Sequence, residues 1–385
     1  MAVGDRNAPS YSGDTSHTWD ISRLILSGSP QIHDALSTAK LHWYLILAAL
    51  PAAVWGFAQF GVPAFVVVAT GVAAAVLTEA LLPSRRGSPA DGNSVAIGLI
   101  MSLMFPPGAP WYLVAVSAVF AVGVVKWALG GLGHAVLNPA IAGRVLAQVL
   151  HPEAMSRYAL PAGLGGGEFE GGSSVIMALR GGSTGNDPLQ RLAELGYPRS
   201  GVDEAVTEWL NVYLLTPAGV QLPGGYIDPF IGLAPGGIGE VSAVLLLIAS
   251  AALIGRRVIA WQVPLSVFVG FAATIAIWGA VPLGGPVLAG DVLFHTMHGG
   301  LLFLMFFCAT DNTSAPATGA GMFVYGLLGG CLAAILQLFG LYPEQLAAAL
   351  LIVTFFVPLI DYATKPTRFG FSRRTGQPLL YKARS

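Results

Sequence analysis

Charge is what this chain has least of. Only 10% of its 385 residues are Asp, Glu, Lys or Arg, against about 25% in an ordinary soluble domain, and a packed globule of this length could not avoid exposing apolar surface to water. That excludes a cytosolic enzyme. Neither sign of charge prevails: 19 basic residues against 20 acidic ones give a net charge of -1, which offers no electrostatic reason to bind nucleic acid. Cysteine is nearly absent. Cys308 and Cys331 are too few for a disulfide framework and lack the spacing of a zinc or iron-sulfur site. What is abundant is apolar: 54% hydrophobic residues, with 49 glycines besides. The composition is that of an integral membrane protein.

A helical span needs about 20 mostly apolar residues to cross a hydrocarbon core about 30 Å thick. Windows of this kind fall at 43–60, 62–82, 94–106, 111–129, 137–150, 240–255, 258–281, 298–310, 320–341 and 345–363. The expected fold is therefore all-α and membrane-embedded, with about ten spans. Residues 1–42 are polar and carry no apolar stretch after a basic start, so they read as a cytoplasmic N-terminal segment and not as a signal peptide.

The basic residues test these windows, because cytoplasmic loops hold the excess of Lys and Arg. With the N-terminus inside, Arg85, Arg86, Lys126, Arg256, Arg257 and the basic tail from Lys365 to Arg384 all fall on the cytoplasmic side. The long connection 151–239 then lies outside, where Glu153, Glu168, Glu170, Glu194, Asp203, Glu204 and Glu208 outnumber its arginines. It divides the chain into five-span sets at 43–150 and 240–363, followed by a cytoplasmic tail, 364–385. Sets of five must point oppositely in the membrane, as inverted repeats.

The third span of each set is short. Gly98–Pro110 and Gly300–Pro316 are each an apolar run ended by proline or by a polar, turn-forming cluster. Paired interruptions of this kind belong to transporter-type plans, in which the ends of broken helices meet near the midplane and bind a ligand or ion. A kinked helix packed on its neighbours is the plainer alternative. Gly326, Gly329 and Gly330 have the spacing of a close helix contact. The glycine-rich stretch Gly163–Gly172 lacks a preceding strand and reads as loop rather than as a dinucleotide fingerprint.

Ionisable or polar residues inside spans are costly, and so are candidate functional sites. Asp311, Asn312 and Thr313 interrupt a short helix with oxygen ligands of the type a hard cation such as Na+ prefers, or they cap a turn. Asn138-Pro139 marks a second break, again with a turn as the alternative. Glu79, Lys126 and Asp361 lie near cytoplasmic helix ends, where snorkelling or capping accounts for them. His295 and His298 stand three apart without a carboxylate or Cys partner at defined spacing, so no metal site is expected. With no nucleophile system in view, redox chemistry would need an imported cofactor.

Several ordered blocks carry a resemblance: Ser29–Thr38, Lys126–Gly143 with its Gly-Leu-Gly and Asn138-Pro139-Ala140, Gly236–Leu247, Trp261–Pro264, Ala309–Thr318 and Phe356–Gly370. Together they resemble the D subunit of the Rnf electron-transport complex, which is similar to the B subunit of the Na+-pumping NADH:quinone oxidoreductase. The resemblance implies a urea-transporter-like fold of ten spans in two inverted sets of five. It also implies a multi-pass place in the bacterial cytoplasmic (inner) membrane, with both termini cytoplasmic. It further implies a membrane subunit that couples electron transfer to Na+ or H+ translocation beside other membrane and soluble subunits. The same scaffold could instead serve as a stand-alone channel or transporter for a small solute.

Members of that family carry FMN esterified to a threonine of the exterior loop, in a motif resembling Asp-Gly-x-Thr-Gly-Ala-Thr followed by Pro-Leu or Ala-Leu. The corresponding segment here is Gly181-Gly182-Ser183-Thr184-Gly185-Asn186-Asp187-Pro188-Leu189. Asp187 stands where the acceptor threonine should be. A carboxylate cannot form the phosphoester that a hydroxyl forms, and Ser183 and Thr184 stand at the wrong place in the motif. The resemblance thus implies that covalent FMN has been lost, which leaves three alternatives: a noncovalent flavin between the repeats, an ion path formed by this chain alone, or a variant complex that routes electrons through another subunit.

Overall fold

The computed structural model describes residues 37–82, 91–129, 131, 137–155, 158–164, 168–169, 199–219, 221–279, 281, 286–288, 290–298, 300–311, 313–339 and 345–365. The first helix, α1 (Thr38–Leu81), is a single run of 44 residues. Straight, it would extend about 66 Å at about 1.5 Å per residue, roughly twice a hydrocarbon core. Gly61 breaks it, with φ 68° and ψ -147°, a backbone state open to glycine and closed to most other residues. The break falls between the expected spans 43–60 and 62–82.

The remaining apolar windows are helical too. α2 (Asn93–Leu103) stops at Pro106-Pro107-Gly108, since proline has no N–H to continue the ladder. α3 (Trp111–Val119) follows Pro110 and runs on as a π-helix, Phe120–Ala128. α4 (Pro139–Leu150) starts where Asn138 accepts from the N–H groups of Ala140 and Ile141, with proline at the first helical position. Between α4 and the second group of apolar helices lie α5 (Gly201–Leu210) and α6 (Ile227–Ile231). The second group comprises α7 (Ala243–Gly255), α8 (Gln262–Trp278), α9 (Val292–Met297) and α10 (Leu301–Phe303), which continues as a π-helix over Leu304–Cys308. It ends with α11 (Gly319–Phe339), α12 (Gln345–Thr354) and α13 (Val357–Ala363). Among the described residues, Thr38–Leu81, Trp111–Ala128 and Gly319–Leu338 are long and apolar enough to cross a membrane, and Leu346–Thr354 with Val357–Ala363, bent by 57°, has the composition of a broken span or a re-entrant loop.

Large apolar side chains such as Leu47, Val54, Phe65, Leu77, Ile248 and Leu328 point outward along these helices. An apolar exterior around satisfied helical backbone is what a bilayer demands, and the chain is a membrane protein. Inside, small residues set the spacing. A methyl group at Gly98 would come within 2.8 Å of the Gly71 carbonyl, so α1 and α2 meet at backbone distance. The same device joins α8 to α11, where a Cβ at Gly326 would strike Ser266 and one at Gly330 the Val267 carbonyl; Gly329 faces Leu350 of α12 instead.

The segment between the two groups is tied down by buried carboxylates. Asp203 accepts from the N–H groups of Gly225 (2.6 Å) and Ile227 (2.9 Å), and Asp228 accepts from the backbone and the hydroxyl of Ser200. Burial pushes the Asp228 carboxyl up, against the two Ser200 bonds that favour its ionised form. Trp55 of α1 reaches into this segment, donating to the Gly232 carbonyl at 3.3 Å. A two-residue antiparallel pair, β1 (Tyr158–Ala159) with β2 (Glu168–Phe169), sets Tyr158 opposite Phe169. Of the glycine-rich stretch, 165–167 and 170–172 lie outside the described residues, while the Gly163 N–H meets Gln59 Oε1 at 3.3 Å.

Candidate functional site at the junction of the broken helices

An α-helix leaves its last carbonyls without intrahelical partners, and a buried end must find others. At the end of α2 they come from the second half of the chain and from α4. Gly239 donates to the Leu103 carbonyl (2.8 Å), Ile238 to that of Phe105 (3.1 Å), and Arg144 Nε to that of Met104 (3.0 Å). Arg144 is buried to 1% exposure, with Nη1 on Gln148 Oε1 at 3.2 Å and its guanidinium 5.6 Å from the Phe105 ring centre. A cation at a helix C-terminus is favoured by the macrodipole. The π-helix that ends at Cys308 is closed in a parallel way, the Cys308 carbonyl accepting from Asn138 Nδ2 at 3.1 Å. Glu240, in the same turn as Ile238 and Gly239, sets its carboxylate against Gly300, where an added Cβ would fall 2.6 Å from Oε1. Gly300 also holds φ at +71°, so the position requires glycine twice over.

Beside these ends lies a cavity of about 230 Å³. Leu41 and Leu45 of α1, Ile97 and Ile100 of α2, Val258, Ile259 and Phe307 form its apolar wall; His42, Asn93, Lys126, Asn138, Thr310, Asp311 and Thr313 supply the polar groups. Asn138 and Asp311, which the sequence places in different halves, thus share one space. Asn312 lies outside the described residues, as do Ser183, Thr184 and Asp187.

Asp311 both caps and faces the cavity. Its Oδ2 accepts from the hydroxyls of Thr313 (2.7 Å) and Ser314 (3.2 Å), closing the turn that follows the π-helix. Asn138 is likewise a cap for α4 and a bridge to Cys308. Each break is thus a turn closed by its own side chain, and each of those side chains also lines the cavity. Asp361 accepts from the Ala317 N–H at 3.1 Å and so closes the turn before α11.

Glu79 and Lys126 correct the sequence reading. They do not snorkel: Lys126 Nζ lies 2.6 Å from both carboxylate oxygens of Glu79, the two side chains being 7% and 6% exposed respectively for Glu79 and Lys126. Neither chain position signals this, because the partners are 47 residues apart. His42, Asn93, Arg144 and Glu240 were also illegible in sequence, standing among apolar or small residues with partners in distant segments. His295 and His298 are buried among side chains. His295 Nδ1 meets Gln337 Nε2 at 3.2 Å, and the His298 ring stacks on Phe294 at 4.3 Å with Nδ1 on the Phe294 carbonyl.

Residues 25–370 match the model of the NQR2, RnfD, RnfE family. The D subunit of the proton-translocating ferredoxin:NAD(+) oxidoreductase complex of Clostridium ljungdahlii is 34% identical over 351 residues, 90% of this chain and 96% of that one. Its counterpart in the ion-translocating oxidoreductase complex of Stutzerimonas stutzeri is 31% identical, across 89% of this chain and 95% of its own. The D subunit of the Na(+)-translocating ferredoxin:NAD(+) oxidoreductase complex of Acetobacterium woodii is 30% identical, across 91% and 96%. On a family match that takes in the site and nearly all of both halves, this chain belongs to the NQR2, RnfD, RnfE family.

Proposed function

We propose that this chain is the D-type membrane subunit of an ion-translocating ferredoxin:NAD+ oxidoreductase complex, coupling electron transfer to movement of Na+ or H+. The observation that carries the reading is similarity to subunits of such complexes over 90–91% of this chain and 96% of each relative. Its partners are then the other membrane and soluble subunits, and its place the bacterial cytoplasmic membrane with both termini inside. The ten-span plan in two inverted sets, 43–150 and 240–363, belongs to the same proposal. Support for it comes from matching breaks, α2 and the π-helix after α10 each ending short, and from the basic residues Arg256 and Arg257 at the end of α7, with the Arg256 guanidinium 5.3 Å from the ring centre of Tyr44 in α1. A stand-alone channel is not favoured, since the relatives are named as subunits of complexes.

The cavity is where we propose coupling to occur, with Asp311, Thr313 and Asn138 on the ion path and Asn312 beside them in sequence. A noncovalent flavin in the same space belongs to this proposal. At about 230 Å³ it falls below the range of about 300–1,000 Å³ usual for whole small-molecule ligands, so the cavity would have to widen to admit one. A bound flavin would supply one- and two-electron chemistry that no side chain here offers.

The covalent FMN, in contrast, is proposed to be absent, because Asp187 occupies the acceptor position. One preparation tests both statements. A tag on this chain should bring down the other redox subunits from solubilised membranes, and the denaturing gel of that sample should show no flavin fluorescence at 39.9 kDa. Recovery of the chain without redox partners would contradict the complex, and a fluorescent band at its mass would contradict the loss of FMN.

A further inference from the structure

His42 is the one imidazole among the described residues that line the cavity, and its two ring nitrogens are held by different kinds of group. Nδ1 lies 3.2 Å from the Asp91 backbone carbonyl and Nε2 2.8 Å from Asn93 Nδ2. A carbonyl only accepts, so Nδ1 carries a proton; an amide nitrogen only donates, so Nε2 is the bare nitrogen of a neutral ring. On the far side of the same amide, Asn93 Oδ1 is buried with no hydrogen-bond partner among the described residues. The pair is therefore set for one protonation state and carries its alternative within reach. A proton on Nε2 would face a donor. Rotating the Asn93 amide by half a turn would bring the orphaned Oδ1 to that proton, in a charge-assisted bond roughly twice as strong as the neutral one.

We propose that His42 and Asn93 form a proton-binding switch on the cavity wall, in which uptake of H+ at His42 Nε2 turns the Asn93 amide. Among the described residues, the charged groups that act on His42 are Asp91, Asp311 and Lys126, the last paired with Glu79. Asp91 and Asp311 attract an imidazolium and Lys126 opposes it. Asn93 is the first residue of α2, and the far end of α2 is the one capped by Ile238, Gly239 and Arg144. Protonation at His42 is thereby registered at one end of the broken helix whose other end lies at the junction. The switch itself stands on this geometry; its service as the entry point of a translocated proton rests on the proposed function.

The test is a 15N NMR titration of the full chain in lipid nanodiscs with labelled histidine, the His42 signals being identified by their loss in His42→Gln. Nδ1 should stay protonated throughout while Nε2 passes from bare to protonated in a single step. Asn93→Asp, a permanent acceptor, should raise the proton affinity of His42 at least tenfold, and Asn93→Leu should lower it. A neutral ring protonated on Nε2 instead of Nδ1, or an affinity that the Asp and Leu variants leave unchanged, would overturn the switch. Its role is read separately in the reconstituted complex, where His42→Gln should flatten the pH profile of ion uptake. A normal titration with an unchanged profile would overturn the role while leaving the proposed function intact.

Discussion

Lys126→Met should cost the chain about 3–5 kcal/mol of stability, the usual penalty for stranding one member of a buried ion pair. The carboxylate left behind, Glu79, is buried and would stand against an apolar interior without the ammonium group that neutralises it. Glu79→Ala should be comparably harmful. The double variant Glu79→Met with Lys126→Met should recover most of the loss, because two apolar side chains of similar volume remove the uncompensated charge altogether. Thermal unfolding in nanodiscs, followed by tryptophan fluorescence, gives the three values. Additive losses would mean that the two groups act separately and that the 2.6 Å contact is energetically idle.

Asp311→Asn should cut ion uptake per electron transferred at least tenfold in the reconstituted complex while leaving the complex assembled. The substitution keeps an acceptor oxygen for Thr313 or Ser314, so the turn loses about 1 kcal/mol at most from a weakened hydrogen bond. What it removes is the carboxylate charge on the cavity wall. Uptake equal to that of the unsubstituted complex would leave Asp311 with its capping role alone. The two variants thus test the charges separately, Lys126 with Glu79 for stability and Asp311 for the proposed role in coupling.

How much of this could be read from the residues alone depends on the range of the interaction. Apolar windows were legible because a span is a local property of consecutive residues, and every window contains helix in the structure. The breaks were legible for the same reason. Gly61, Pro106-Pro107 and Asn138-Pro139 act through their own backbone chemistry, and Asp311 marks a turn that it closes itself. Pairings were not. Lys126 with Glu79, His42 with Asn93 and Arg144 with the Met104 carbonyl join segments 40 or more residues apart, and nothing in the neighbouring residues distinguishes a lysine that snorkels from one that is buried against a carboxylate. Glu240 shows the limit clearly. The window 240–255 places it at the start of a span and says nothing of a partner, and only the fold shows that Gly300 is needed to admit its carboxylate.

The most direct test of the central reading is ion uptake by proteoliposomes containing the complex purified through a tag on this chain. With reduced ferredoxin as donor and NAD+ as acceptor, uptake of Na+ or H+ should begin on addition of the donor and cease when NAD+ is withheld. Recovery of the chain as an isolated homo-oligomer that moves a small solute with no electron donor would contradict it.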